Sequence, residues 1–166
     1  MTRDFSKTPT IVTPLSIMFF VVVLDQLSKW RVISTFMLYE SREVLPGFFN
    51  LTYLRNTGAA FGFLAGDHGM WRQVLFVGIA VIALIFMFTA FFHFRKQGML
   101  FVYGLGLIGG GAVGNLIDRL RFGSVIDFLD FYIKGHHWPA FNVADSAICV
   151  GVGMFLLGSF IHSDKE

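Results

Sequence analysis

Charge is scarce in this chain. Of its 166 residues only 14% are Asp, Glu, Lys or Arg, against roughly a quarter in soluble domains. Cysteine is nearly absent: Cys149 stands alone, which excludes a disulfide framework and a thiolate metal site and leaves a small buried apolar residue as its expected role. A strong charge of either sign is also missing. The net charge is +2 with the cations scattered, so no basic stripe forms and nucleic acid is not an expected partner. Common catalytic kits are lacking too. There is no His-Glu-x-x-His, Ser146 has neither a nearby His nor a nucleophile elbow, and His136-His137 reads as a wet loop pair. No metal and no cofactor is therefore expected.

What is abundant is apolar surface. The hydrophobic set makes up 55% and aromatics 17%; counting glycine and omitting tyrosine gives roughly 63%, against about 45–50% in soluble domains. So few polar side chains cannot wrap so apolar a chain, and lipid must do the wrapping. The charges bear this out by their spacing. Uncharged runs of 17, 22, 21 and 18 residues lie between Lys7 and Asp25, Arg72 and Arg95, Lys96 and Asp118, and Asp145 and Asp164. A helix needs about 20 residues to cross the hydrocarbon core. Four spans are predicted, at about 11–31, 73–94, 98–117 and 143–162, in one membrane-embedded domain covering 1–166. The first is read as uncleaved, because no small-x-small site follows Leu24. The count of cations does not decide orientation, but the tight His93-Phe94-Arg95-Lys96-Gln97 connection holds two of them and favours cytoplasmic termini.

Two longer segments, about 33–72 and 118–142, emerge on the same side. Phe48-Phe49-Asn50-Leu51-Thr52-Tyr53-Leu54-Arg55, after Pro46-Gly47, reads as short strands with turns, so a small sheet at the membrane surface is expected. Gly104-Leu105-Gly106-Leu107-Ile108-Gly109 matches a dinucleotide fingerprint in letters. It lies inside an uncharged run of membrane length, however, with no strand before it. Gly106, Gly110 and Gly114 recur every four residues, the spacing that lets membrane helices pack closely.

The short first and fourth runs place Asp25 and Asp145 at the edge of the apolar slab, where ionisable groups are functional candidates. Asp25 has Lys29 four residues on, an i,i+4 pair. Asp145 opens the fourth helix, where N-capping is the plain explanation. The alternative is a partner among Asp118, Asp127 and Asp130; Asp118 has Arg119 beside it, whereas Asp127 is flanked by large apolar groups. Two carboxylates brought together there could not both ionise easily, and would supply a general acid beside a general base. A membrane proton or solute translocator, or a scaffold packed through its glycines, remains an alternative on this ground alone.

Five blocks then stand in order: Asp25-Gln26-x-x-Lys29, Arg55-Asn56-Thr57-Gly58-Ala59-Ala60-Phe61-Gly62, Gly114-Asn115-Leu116-Ile117-Asp118-Arg119, Val125-Ile126-Asp127-Phe128 and Pro139-Ala140-Phe141-Asn142-x-Ala144-Asp145-Ser146. In these the chain resembles bacterial lipoprotein signal peptidases, the signal peptidase II family. The resemblance implies an all-α polytopic fold of four transmembrane helices, with a small extracytoplasmic β-cradle and a short amphipathic helix. It implies a catalytic pair at Asp127 and Asp145, substrate-binding or supporting roles for Asn56, Gly58, Asn115, Arg119 and Asn142, and structural roles for Asp25, Lys29 and Asp118. It further implies a monomer in the bacterial cytoplasmic membrane, with lipid around it, that removes the signal peptide of lipid-modified prolipoproteins just before the lipidated Cys. Aromatic segments such as Phe48-Phe49 and Phe61-x-Phe63 are expected to close over the substrate.

Overall fold

The structure is a computed structural model that describes residues 9–58 and 70–163. Residues 59–69 lie outside it, and with them the end of the second motif block and the Phe61-x-Phe63 pair, as do the cations Arg3, Lys7 and Lys165; the short amphipathic helix is not found among the described residues. In chain order the elements are α1 (Val12–Thr35), β1 (Ser41–Leu45), β2 (Phe49–Asn56), α2 (Met70–Phe94), α3 (Met99–Phe122), β3 (Val125–Ile133), β4 (His136–His137) and α4 (Val143–Ser163). All four helices contain stretches long and apolar enough to cross a membrane. The label all-α is too narrow, since the strands form a four-stranded antiparallel sheet in the order β1-β2-β3-β4.

The helical surface is inverted relative to a soluble protein. Phe19, Phe20, Ile82, Phe86, Leu156 and Phe160 are all more than half exposed, as residues facing acyl chains must be. Cys149 is on this outer surface rather than buried: in a bundle wrapped by lipid an apolar residue gains nothing by facing inward.

α3 is the central helix, with half of its spanning window buried against 17–22% in the other three. Its glycines make this possible. Cβ atoms at Gly106, Gly110 and Gly114 would lie 3.0 Å from Ile17, 2.5 Å from Val21 and 2.6 Å from Asp25, so this row is the contact with α1. A second face, not evident in the four-residue spacing, meets α4: a Cβ at Gly104 would stand 2.8 Å from the Gly151 carbonyl, and one at Gly111 would collide with that of Ala144. Small residues let the backbones approach, which substitutes for the hydrophobic drive that lipid does not provide. Ala90, Phe91, Val102 and Leu105 close the α2–α3 contact.

Val32 of α1 packs with Tyr53, Ile126 and Phe128 of the sheet, fixing the sheet to one end of the bundle. β3 and β4 are joined by Lys134-Gly135 with φ of 51° and 78°, a two-residue turn whose positive angles suit the twist of a hairpin. The β2–β3 register carries one irregularity. Leu51 faces Leu129 but Leu54 faces Asp127, so β2 has an extra residue between them. A one-residue slip exchanges the two faces of a strand. With even pairing Asp127 would face Tyr53; the bulge puts Leu54 opposite it instead, and Asn56 two residues on therefore shares Asp127's face.

Candidate active site at the sheet end of the bundle

Asn142 immediately precedes α4 and caps it. Its Oδ1 accepts the Asp145 backbone N–H at 2.9 Å, and the Asp145 Oδ2 accepts the Asn142 N–H at 3.3 Å. These reciprocal bonds form a capping box, so Asp145 is the third residue of the helix rather than its cap. Ser146 has its Oγ hydrogen-bonded back to the Asn142 carbonyl at 2.9 Å.

The same Asn142 donates from Nδ2 to Asp127 Oδ1 at 2.8 Å and to the Ile126 carbonyl at 3.1 Å. One fully buried amide thus joins the α4 aspartate to the β3 aspartate. Asn56 Nδ2 donates to Asp127 Oδ2 at 3.1 Å, and Asn115 Nδ2 to Asp145 Oδ1 at 2.8 Å. Each of the four carboxylate oxygens of Asp127 and Asp145 therefore accepts one hydrogen bond from the protein. Asp127 is 4% exposed. Burial first, and the charge of Asp145 second, push its carboxyl up to about 7 against the pull of the Asn56 and Asn142 donors and the Lys29 charge. Asp127 is thus the carboxyl disposed to keep its proton near neutral pH.

Arg119 approaches from α3. Its Nη2 donates to the Gly58 carbonyl at 3.1 Å, its guanidinium lies 4.2 Å over the Phe76 ring, and its charge acts on Asp127, Asp145 and Asp118. Gly58 is buried, and its N–H is accepted by Asn56 Oδ1 at 3.0 Å. Asn56, Asn115 and Asn142 thus bond the two aspartates directly, Gly58 bonds Asn56, and Arg119 bonds Gly58 and reaches the aspartates through its charge.

Asp25, Lys29 and Asp118 form a separate ion cluster with exposures of 0%, 1% and 0%. Lys29 Nζ donates to Asp25 Oδ2 at 2.8 Å, Asp118 Oδ2 at 2.7 Å and Asn115 Oδ1 at 3.1 Å, which occupies all three ammonium hydrogens. Asp118 does not take its ion pair from Arg119: adjacent residues on a helix point in different directions, and Lys29 of α1 meets it instead. Asp25 also accepts the Ala144 N–H at 2.9 Å, and Asp118 the Ile126 N–H at 3.2 Å. Gln26, to which the sequence assigns no role, donates to both carboxylates at 3.1 and 3.0 Å; its place inside the first motif block is the signal.

Asp130, considered as a partner for Asp145, faces the other way. It accepts Asn50 Nδ2 at 2.9 Å and lies 2.8 Å from His137 Nδ1, with His137 stacked on Tyr132. Phe48 and Phe49 pack on Phe131 within the sheet, at centroid distances of 5.4 and 4.7 Å.

The family model for signal peptidase (SPase) II matches residues 17–161. The lipoprotein signal peptidase of Syntrophus aciditrophicus is 49% identical over 146 residues, covering 88% of this chain and 90% of that one. The one from Shewanella loihica is 51% identical over 146 residues, covering 87% and 84%. A bacterial membrane enzyme solved by the in meso method superposes with a TM-score of 0.82 at 34% identity, covering 96% of this chain and 94% of that one. With the family match spanning nearly the whole length and relatives about half identical over most of it, the chain belongs to the signal peptidase II family.

Proposed function

We propose that this protein is a membrane aspartic endopeptidase that removes the signal peptide from diacylglyceryl-modified prolipoproteins, cutting just before the lipidated Cys, with Asp127 and Asp145 as its catalytic pair. The observation that carries the assignment is one amide, Asn142, held between two carboxylates on different elements, with one carboxyl raised to about 7. Asp145 takes a proton from water as the water oxygen bonds to the scissile carbonyl carbon. Asp127 gives its proton to the carbonyl oxygen, forming a neutral tetrahedral diol. The proton on Asp145 then passes to the amide nitrogen, the C–N bond breaks, and the diol hydroxyl that becomes the new carbonyl gives its proton to Asp127, returning the pair to its starting state.

Position supports the substrate class. The pair sits where apolar helices meet the sheet, so the acyl chains and the signal peptide's apolar stretch stay in lipid while the scissile bond reaches water. We place the termini and the Arg95-Lys96 turn in the cytoplasm of a bacterial cell, the sheet outside the cytoplasmic membrane, and the chain as a monomer; the cation density of that turn supports the orientation. A proton translocator needs polar groups in file across the slab, whereas among the described residues the buried acids gather at the sheet end.

The test is cleavage of a lipidated prolipoprotein by purified protein in lipid bicelles. Asp127→Asn and Asp145→Asn each lower kcat by about a thousandfold while the unfolding temperature stays near that of the parent. Turnover within tenfold of the parent in either variant sinks the assignment.

A further inference from the structure

Three asparagines serve the aspartate pair, and each amide has its carbonyl end taken by a group that can only donate. Asn56 Oδ1 accepts the Gly58 N–H, Asn142 Oδ1 accepts the Asp145 N–H, and Asn115 Oδ1 accepts the Lys29 ammonium at 3.1 Å, with the Asn142 Nδ2 a longer second donor at 3.4 Å. The first two donors are backbone groups that lie within two or three residues of the amide they orient. The third is a side chain from another helix, 86 positions away in sequence. A reversed Asn115 amide would set its NH2 against the Lys29 ammonium and its oxygen against the Asp145 carboxylate, two repulsive contacts in place of two attractive ones.

We infer that Lys29 is a positioning residue for the cleavage reaction: by occupying Asn115 Oδ1 it turns Asn115 Nδ2 onto Asp145 and keeps that carboxylate supplied with a donor. The inference rests on the reading of Asp127 and Asp145 as the catalytic pair. It assigns the buried Asp25–Lys29–Asp118 cluster a second task beside holding helices together. The two carboxylates fix where the ammonium sits, and its third hydrogen then reaches Asn115 at 3.1 Å, whose amide meets Asp145 at 2.8 Å. Among the described residues the cations whose charge reaches the pair are Lys29 from α1 and Arg119 from α3. Arg55 of β2 turns its guanidinium onto Tyr53 and Phe122 instead.

The experiment is the pH profile of kcat/KM for the full chain with a lipidated prolipoprotein, in the parent, Asn115→Ala, the charge-matched double variant Lys29→Met/Asp118→Asn, and all three changes together. Removing a donor from a carboxylate disfavours its ionised form. Asn115→Ala and the double variant are therefore each expected to move the acid limb up by about one pH unit and to lower kcat about tenfold with KM nearly unchanged. The combined variant is expected to do no more than the larger of the two, because both act through one hydrogen bond. An acid limb at the parent position in the double variant, or shifts that add in the combined variant, overturns the inference. Should the double variant not fold, Asn115→Asp decides: its carboxylate still accepts from Lys29 but offers Asp145 no N–H, so an unmoved acid limb overturns the inference equally. These outcomes leave the peptidase assignment standing, which fails separately if Asp127→Asn or Asp145→Asn still cleaves.

Discussion

The protein sets two pairs of aspartates side by side, all buried but the half-buried Asp145, and they differ in what lies between them. Asp25 and Asp118 have an ammonium in the middle, extended by Gln26 and two backbone N–H groups. Asp127 and Asp145 have a neutral amide in the middle and neutral amides at the sides. The first pair shares one ammonium and ties α1 to α3 through it. The second pair has no cation bonded to it among the described residues, and burial together with the Asp145 charge pushes the Asp127 carboxyl up to about 7. On the proposed assignment, the difference in reactivity follows from the central group rather than from the acids themselves.

That contrast breaks first at Lys29. Lys29→Met alone strands two buried carboxylates and is expected to destabilise the fold by about 3–5 kcal/mol, measured by thermal unfolding in detergent micelles. Adding Asp118→Asn recovers most of the loss; no recovery means the ammonium acts by packing rather than charge. Next in size is Asn142→Ala, which releases Asp127 and uncaps α4. A displacement of this kind reduces kcat by about a hundredfold and the missing cap costs about 1 kcal/mol. An unchanged kcat would show that the aspartates hold their places without the shared amide.

The pH dependence sharpens the comparison from the other side. Cleavage is expected to fall about tenfold per unit as pH rises beyond about 7, where Asp127 gives up the proton it must donate. Its folded-state carboxyl is raised above the ordinary value of 3.8. That preference favours the fold at low pH, and its contribution is lost as pH rises through about 7. Activity level to pH 9 would place the proton elsewhere. The smallest effect belongs to the exposed rim: Tyr132→Phe removes a hydroxyl shared by Glu43 and Gly47 and should leave kcat/KM within twofold, whereas a large loss would extend the site to the sheet edge.

Much of this was legible in the residues. Gaps between charges mark helices because lipid tolerates few ions, and the motif blocks single out the aspartates and asparagines that meet. Strand alternation also separates Asp127 from Asp130, three residues apart and on opposite faces. The partner of Asp118 was not legible, because it comes from a helix far away in sequence and the neighbouring Arg119 is the closer guess. Neither was the extra residue in β2, since a bulge leaves no mark in a run of apolar and aromatic letters. Cys149 misled for a physical reason: rules that place apolar residues inside assume water outside.

Asn142 begins α4 and also holds Asp127, so the first turn of that helix cannot fray without letting go of the β3 aspartate. The working geometry thus persists only as long as one helical turn stays wound, and the exchange rate of the Asp145 and Ser146 amide hydrogens becomes a clock for how often the enzyme is out of service.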